Sequence, residues 1–422
     1  MSGIMPFLVI MFVTVTATLT VRAEESIVLC PSLQTLSSLL ECMEKNHPEY
    51  THSLLMEEEA QLGLQQAKQF KNPEFSLRSV GGDNFGMGIG GSELAVTYPF
   101  PISARRSTFV DAAKASGEQL KAQALLLRHE SKTAFIKDAF RMRQIDDEQK
   151  WYKFIFDQLQ AQRSTYLKRV VREPEQDVFL SLVQLLIADN LTKQSSLDIE
   201  SRELKSRLQR ALGHKNSLAS VKWPLLKKEW PDLGTKEALS IDKRPELVEI
   251  RARQDQALAE WNFAKASTWP EFNFGPVIQR ANEGPSVYYS YGLQVTFELP
   301  VLSWNQGARA LKSNQYVHAT HEVELMKQKQ EYVLETYIQQ YKKTIEAQSY
   351  LPSSQEVTRK AQQTQNYFQR GMISGPTIIE SYRQTMDSVI NRHHLEILTL
   401  DAFLWLKITQ GKDPAQELEA LL

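Results

Sequence analysis

The feature that most constrains this chain is that it spells nearly the same passage twice. His47-Pro48-Glu49-Tyr50 resembles Arg244-Pro245-Glu246-Leu247, and at the same offset Ala67-Lys68 pairs with Ala264-Lys265. At that offset again, Pro73-Glu74-Phe75-Ser76-Leu77 answers Pro270-Glu271-Phe272-Asn273-Phe274. Leu94, Val96 and Tyr98 then match Leu293, Val295 and Phe297 with the offset grown by two residues. The prolines of Tyr98-Pro99-Phe100-Pro101 and Glu298-Leu299-Pro300-Val301 follow in turn. One such match could be chance, but an ordered set is a tandem duplication, and repeats of this kind bury their apolar surface against each other. The two repeats run from about 32 to 216 and from about 234 to 411.

Each repeat reads as helix, strand, loop, strand, long helix, turn, helix. Pro48 and Pro245 suit a first helical turn, where a missing N–H costs nothing. Around Pro73 and Pro270 the period changes from helical to two. Val287, Tyr289, Tyr291, Leu293, Val295 and Phe297 alternate with Tyr288, Ser290, Gly292, Gln294, Thr296 and Glu298. The second strand is a shorter version, Leu94, Val96 and Tyr98 against Glu93, Ala95 and Thr97. Gly81-Gly82-Asp83-Asn84 through Gly90-Gly91, and Ala281 to Pro285, read as connecting loops. From Ser103 to Arg169 there is no proline and one glycine, Gly117, which allows a helix of about 100 Å. Ile145, Tyr152, Leu159 and Tyr166 keep a seven-residue spacing, and Ile379, Tyr382, Met386, Val389, His393, Ile397, Leu400 and Leu404 follow three-four spacing, as in coiled coils. Turns are expected at Val170–Pro174 and Gly371–Pro376, and a kink or break at Pro352.

The N-terminus sets the compartment. Met5 to Leu19 is an apolar run ending near Val21-Arg22-Ala23, which reads as a secretory signal peptide, residues 1–23, cleaved after Ala23; no basic residue precedes the run. The mature chain would be 24–422. No other segment reaches spanning length without charges, Val178–Ile187 and Leu395–Ile408 being the richest, so any membrane contact after export is expected through strands. Lys+Arg 49 against Asp+Glu 50 argues against a nucleic-acid partner. Two cysteines, Cys30 and Cys42, exclude a disulfide-rich scaffold. A bond between them is allowed outside the cytosol. Leu33 to Met43 reads as helical, however, and would hold them too far apart.

Four strands cannot close a barrel, since transmembrane barrels start at eight, and an open sheet would leave edges and an apolar face exposed. Several chains must then contribute four strands each: two chains give a filled bore, three give twelve strands and room for a channel. Helices of about 100 Å far exceed a hydrocarbon core of about 30 Å and must project away from the membrane.

Several motifs resemble those of TolC-type outer-membrane efflux factors, and among them the CzcC-like branch serving heavy-metal and cation efflux. They are Arg244-Pro245-Glu246-Leu247, Asn72-Pro73-Glu74-Phe75, Glu93 opening the second strand, the Tyr-Pro-Phe-Pro turn with Arg105-Arg106, and Tyr367-x-x-x-Gly371. The resemblance spans essentially the mature chain. It implies a mainly α fold with a pair of transmembrane β-hairpins, a homotrimer with a twelve-stranded outer-membrane barrel, and an α-helical periplasmic tunnel. The partners it implies are outer-membrane lipid, a periplasmic adaptor (membrane fusion) protein and an inner-membrane pump, for instance of the RND type. Adaptor docking would fall on the helical tips, Arg169, Val170, Val171 and Arg172 on one side and Gly371, Met372, Ile373 and Ser374 on the other. Three departures stand out: the CzcC-like glycine pair is replaced in Phe100-Pro101-Ile102-Ser103-Ala104, the first tip lacks the glycine that Gly371 supplies in the second, and Pro352 interrupts a helix.

The lipid-facing residues are expected to be Leu94, Val96, Tyr98, Val287, Tyr289, Tyr291, Leu293, Val295 and Phe297, with Trp269 and Trp304 as interfacial aromatics. His318-x-x-His321 has metal-binding spacing, but two solvated histidines on a polar face is the simpler reading. His393 falls in the apolar stripe and reads as an interhelical hydrogen-bonder. The Gly82–Gly91 cluster opens no helix and so is no phosphate loop. No nucleophile elbow is present, and neither catalysis nor a cofactor is expected. The competing reading is an exported coiled-coil scaffold or surface protein without a channel, in which an alternating apolar strand face would have no purpose.

Overall fold

The computed structural model describes residues 29–30, 33–84, 87–100, 104–168, 173–218, 221–225, 230–231, 240–283 and 286–422. The signal segment 1–23 and tip residues Arg169, Val170, Val171 and Arg172 lie outside them. In chain order the elements are α1 (Leu36–Asn46), α2 (Pro48–Lys68), β1 (Glu74–Asn84), β2 (Met87–Phe100), α3 (Arg105–Leu167) and α4 (Pro174–Leu212), followed past a 3-10 turn (Ile241–Lys243) by α5 (Pro245–Ala266). β3 (Phe272–Glu283), β4 (Ser286–Phe297), α6 (Gln306–Tyr350), α7 (Ser354–Gln369), α8 (Gly375–Thr409) and α9 (Pro414–Glu419) complete the chain. Proline stands in the first turn of α2, α4, α5, α8 and α9, where it pre-sets the helical φ without removing a used donor.

α3 is 63 residues long, about 95 Å. Its heptad residues Ile145, Tyr152 and Leu159 are buried, as are Tyr382, Met386, Val389, His393, Leu400 and Leu404 of α8. α2 comes close to α3 at Gly117, where a Cβ would lie 3.2 Å from the Ala60 carbonyl oxygen. The second long helix breaks where Pro352 demands it. Leu351, the residue before the proline, is extended (φ −79°, ψ 136°), and Ser353 restarts the chain as α7 through a capping box with Glu356.

The four strands form one antiparallel sheet in the order β1-β2-β3-β4. Pairing runs out to Asn84↔Met87 and Glu283↔Ser286, so Gly81–Asn84, Met87–Gly91 and Ala281–Glu283 are strand where loops were expected. β2, at 14 residues, is longer than the 12-residue β4, not shorter. A period-two alternation survives the glycines because the backbone ladder, not the side chains, holds them there. The second hairpin's two extra residues both fall in β3, between Phe272 and the turn, and an even insertion leaves every side chain on its original face, whereas one residue would have flipped them.

The cysteines correct the sequence reading. Cys30 and Cys42 are disulfide-bonded with Cα atoms 5.8 Å apart. The helix begins at Leu36 rather than Leu33, behind a capping box between Thr35 and Ser38, which frees the preceding segment to turn back along α1. Asn216 fastens the same corner, its Oδ1 accepting from the Cys30 N–H at 3.0 Å and its Nδ2 donating to the Leu212 carbonyl at 2.6 Å.

Candidate functional site

The strand registers assemble a single apolar face across all four strands. On β4 it carries Val287, Tyr289, Tyr291, Leu293, Val295 and Phe297, opposite Asn282, Arg280, Ile278, Pro276, Phe274 and Phe272 of β3. Ile278, Phe274 and Phe272 in turn face Leu94, Tyr98 and Phe100 of β2. Leu94 and Val96 face Leu77 and Phe75 of β1. This face lies open: Leu77, Tyr291 and Leu293 are each about 70% or more exposed (69%, 78% and 71%). Reasoning from sequence identified Leu94, Val96 and Tyr98 of β2 and the β4 members, and missed Phe75, Leu77, Phe272, Phe274 and Ile278. Their signal was already in the matched segments Phe75-Ser76-Leu77 and Phe272-Asn273-Phe274, which alternate in the same way.

The opposite face is polar. Glu74, Ser76 and Arg78 pair with Thr97, Ala95 and Glu93, and Gln279 donates to Glu93 Oε2 at 2.8 Å. Thr97 and Ala95 are buried on this face. Gly275 is required there, since any Cβ would overlap the Val96 backbone. Among the described residues, the one charge on the apolar face of β3 and β4 is Arg280, near the hairpin end. At the other end the face terminates in aromatics, with Phe272 and Phe297 rings 4.9 Å apart. Trp269 and Trp304 flank that end and are 65% and 58% exposed.

At the far end of the helices, Gly371 has φ +72° and ends α7 in a left-handed residue. The Gly371 N–H donates to Phe368 O and the Met372 N–H to Tyr367 O, both at 2.9 Å, which closes the paired-bond helix stop that glycine favours. Met372 is 65% exposed, whereas Ile373 packs against the core. Ser374 precedes α8, its hydroxyl 2.8 Å from that of Thr377. The two tips are joined by aromatics that sequence reasoning did not single out. The Phe179 ring lies 4.9 Å from Tyr166 and 6.3 Å from Phe368, and Gly375 has no side chain because Phe179 occupies the space.

Midway along the helices His393 makes the interhelical bond its position predicts, with Nδ1 2.8 Å from Glu148 Oε1. Arg141 bridges Glu148 (2.8 Å) to Glu200 of α4 (2.7 Å), so three helices share one network that is buried at Glu148 and His393 and reaches the surface at Glu200. Burial works against the Glu148 carboxylate, but the hydrogen bonds from His393 and Arg141 outweigh it and hold its pKa below the usual range. His318 and His321 are exposed, and His318 Nδ1 sits 3.5 Å from Glu322. Among the described residues no group of three or more His, Cys, Asp or Glu could hold a metal, and no helix is long and apolar enough to cross a membrane.

No protein-family model matches the chain, and neither does any curated protein sequence. Solved structures do. The CmeC outer membrane channel of Campylobacter jejuni superposes with a TM-score of 0.69 at 10% identity, covering 91% of this chain and 88% of that one. The outer membrane protein VceC of Vibrio cholerae gives 0.64 at 14%, covering 89% and 96%. The open state of the MtrE outer membrane channel of Neisseria gonorrhoeae gives 0.67 at 10%, covering 90% and 89%. At identities this low the likeness shows the fold alone, and it extends over nearly the whole length of the chain.

Proposed function

We propose that this chain is the outer-membrane channel component of a tripartite efflux or secretion system. The observation that carries the reading is the two-sided four-stranded sheet with free edges at β1 and β4, set at one end of helices about 95 Å long. A sheet with one polar face and one apolar face left open has no use in a monomer. Three copies joined β4 to β1 close a twelve-stranded barrel with Leu94, Val96, Tyr98 and the β4 stripe toward lipid and Glu93, Gln279 and Gln294 toward water. Trp269 and Trp304 then stand at the periplasmic boundary of the bilayer, and Arg280 at the outer one. The helices continue the bore into the periplasm as a homotrimeric tunnel. The tips, Arg169 to Arg172 and Gly371 to Ser374, form its mouth and dock a periplasmic adaptor that couples it to an inner-membrane pump, for instance of the RND type. The chain performs no catalysis. Metal sensitivity of a deletion strain, relieved by the wild-type gene, tests whether the cargo is a cation, as in the CzcC-like branch, rather than a drug or a peptide.

The assembly is tested by native mass spectrometry of detergent-solubilised protein together with single-channel conductance in planar bilayers. Three chains and discrete conductance steps are expected. A stable monomer that leaves the bilayer silent would return the chain to the scaffold reading.

A further inference from the structure

Below the sheet the helices stand in the order of the strands they serve. α2 packs on α3, α3 on α5 and α5 on α6, so the row α2-α3-α5-α6 repeats β1-β2-β3-β4 and, like the sheet, ends at two outer members. The tops of the row are tied level. Arg106 of α3 donates to the Lys68 carbonyl of α2 at 2.7 Å, and Lys71 just beyond α2 holds Glu271 just beyond α5 at 2.7 Å. Asn305, at the head of α6, donates to the Ala264 carbonyl of α5 at 3.0 Å. Both outer helices carry apolar side chains away from the row. On α6, Lys312 pairs with Glu260 and Tyr316 stacks on Trp261, which marks the side turned to α5. Leu311, His318, Leu325 and Tyr332 recur every seven residues on a different stripe; all are exposed, the apolar three by more than half. On α2, Ser53 accepts from Arg128 of α3 and Ala60 lies against Gly117, which marks the side turned to α3. Leu55 and Leu62, two residues further on, lie about 200° round the helix and are more than half exposed. Apolar side chains at seven-residue spacing make a coiled-coil seam, and within the chain both stripes lie open.

The depths match as well. Leu311 lies about 8 Å below the head of α6 and Leu62 about 9 Å below the top of α2, while His318 and Leu55 lie about 18 and 20 Å down. Glu58, beside the α2 leucines and about 15 Å down, is within one helical turn of the level of His318. With α3 and α5 between them, the two stripes cannot meet inside one chain. We infer that α6 of one copy packs along α2 of the next as an antiparallel seam, Leu311 on Leu62 and His318 beside Leu55 and Glu58, continuing the β4-to-β1 join down into the helices. The inference rests on the assembly reading above and names what that reading leaves open, the surface that holds the copies together outside the membrane. It also takes in His318, which passage through the channel leaves unused.

The test is oxidative crosslinking of the detergent-purified full-length assembly. The two native cysteines are bonded to each other, so introduced ones report alone. Leu62→Cys/Leu311→Cys should run as covalent dimers and trimers on non-reducing gels and return to monomers with reductant. Each single variant should stay monomeric, as should Leu62→Cys/Tyr332→Cys, whose second cysteine lies about 30 Å too low for a bond that needs Cα atoms within about 7 Å. Should the double variant not assemble, benzoylphenylalanine in place of Leu311 alone, in assemblies mixed from heavy- and light-isotope chains, should photocrosslink to the peptide around Leu62 of another chain. Three chains by native mass spectrometry with no bond between positions 62 and 311, a crosslink confined to one chain, or an equal yield from any control variant overturns this seam and leaves the trimer standing. A monomer by native mass spectrometry overturns the assembly reading, and the seam with it.

Discussion

Replacing Leu293 by Arg tests the orientation of the whole sheet. Leu293 sits on the apolar face opposite Pro276 and is 71% exposed. At about 3.4 Å per residue and a tilt of about 40°, it lies roughly 10 Å along the membrane normal from Phe297 and roughly 16 Å from Val287. The span between those ends is then about 26 Å, close to the apolar band of about 25 Å that outer-membrane barrels present, which puts Leu293 near mid-membrane. An arginine there costs about 2–4 kcal/mol per chain, or about 30- to 1,000-fold in the folding equilibrium. Gln294, one residue on, faces the polar side, where Gln294→Arg should cost no more than about 0.5 kcal/mol. Urea titration of refolding into phosphatidylcholine vesicles, read by the mobility of unheated samples, measures both. Equal shifts in the two midpoints, or a larger one for Gln294→Arg, would refute the assignment of faces.

Three further outcomes are expected. Gly371→Val should strain the left-handed turn by about 1–2 kcal/mol and weaken adaptor crosslinking at Met372 while trimers persist, with Gly371→Asn milder because asparagine tolerates that conformation; full crosslinking in the valine variant would remove this turn from the docking site. Cys30→Ser/Cys42→Ser should lower stability by about 3 kcal/mol from loop-closure entropy, matched by wild type under reductant, and an unchanged thermal midpoint would contradict it. Because the Glu148 pKa is depressed in the folded state, its contribution is present above the ordinary carboxylate pKa of about 4.3 and lost as pH falls below it. The stability gap between wild type and Glu148→Gln should therefore narrow from pH 7 to pH 3.5; a constant gap would exclude ionisation as its source.

What could be read from sequence divides along physical lines. Alternation in β4 and heptads in α3 are periodic, so Tyr289, Leu293, Ile145 and Leu159 declared their faces directly. Pro352 announced the helix break because its effect on the backbone is local. Gly81, Gly82, Gly88 and Gly90 misled because glycine signals a turn by backbone freedom, and pairing across the sheet overrode that signal. The Cys30–Cys42 bond was misjudged through three residues, since a helix that starts at Leu36 rather than Leu33 reverses the geometric argument. The Tyr166–Phe179–Phe368 cluster and the Lys71–Glu271 bridge join residues distant in the chain. No periodicity marks such contacts, and they become visible only once the helices are placed.

The order of strands in the sheet carries a timetable. β1 meets β2, and β3 meets β4, across a few residues, so each hairpin can form within about 1–10 μs. The seam between β2 and β3 joins Phe100 to Phe272, about 170 residues apart, and must wait until α3 and α4 have run out and back. On the proposed trimeric reading, the outer edges of β1 and β4, unpaired among the described residues, close last, in a step that depends on how many other chains are nearby. Until then, on that reading, each molecule carries an open, sticky sheet, and the time it spends in that condition is set by protein concentration rather than by its own sequence.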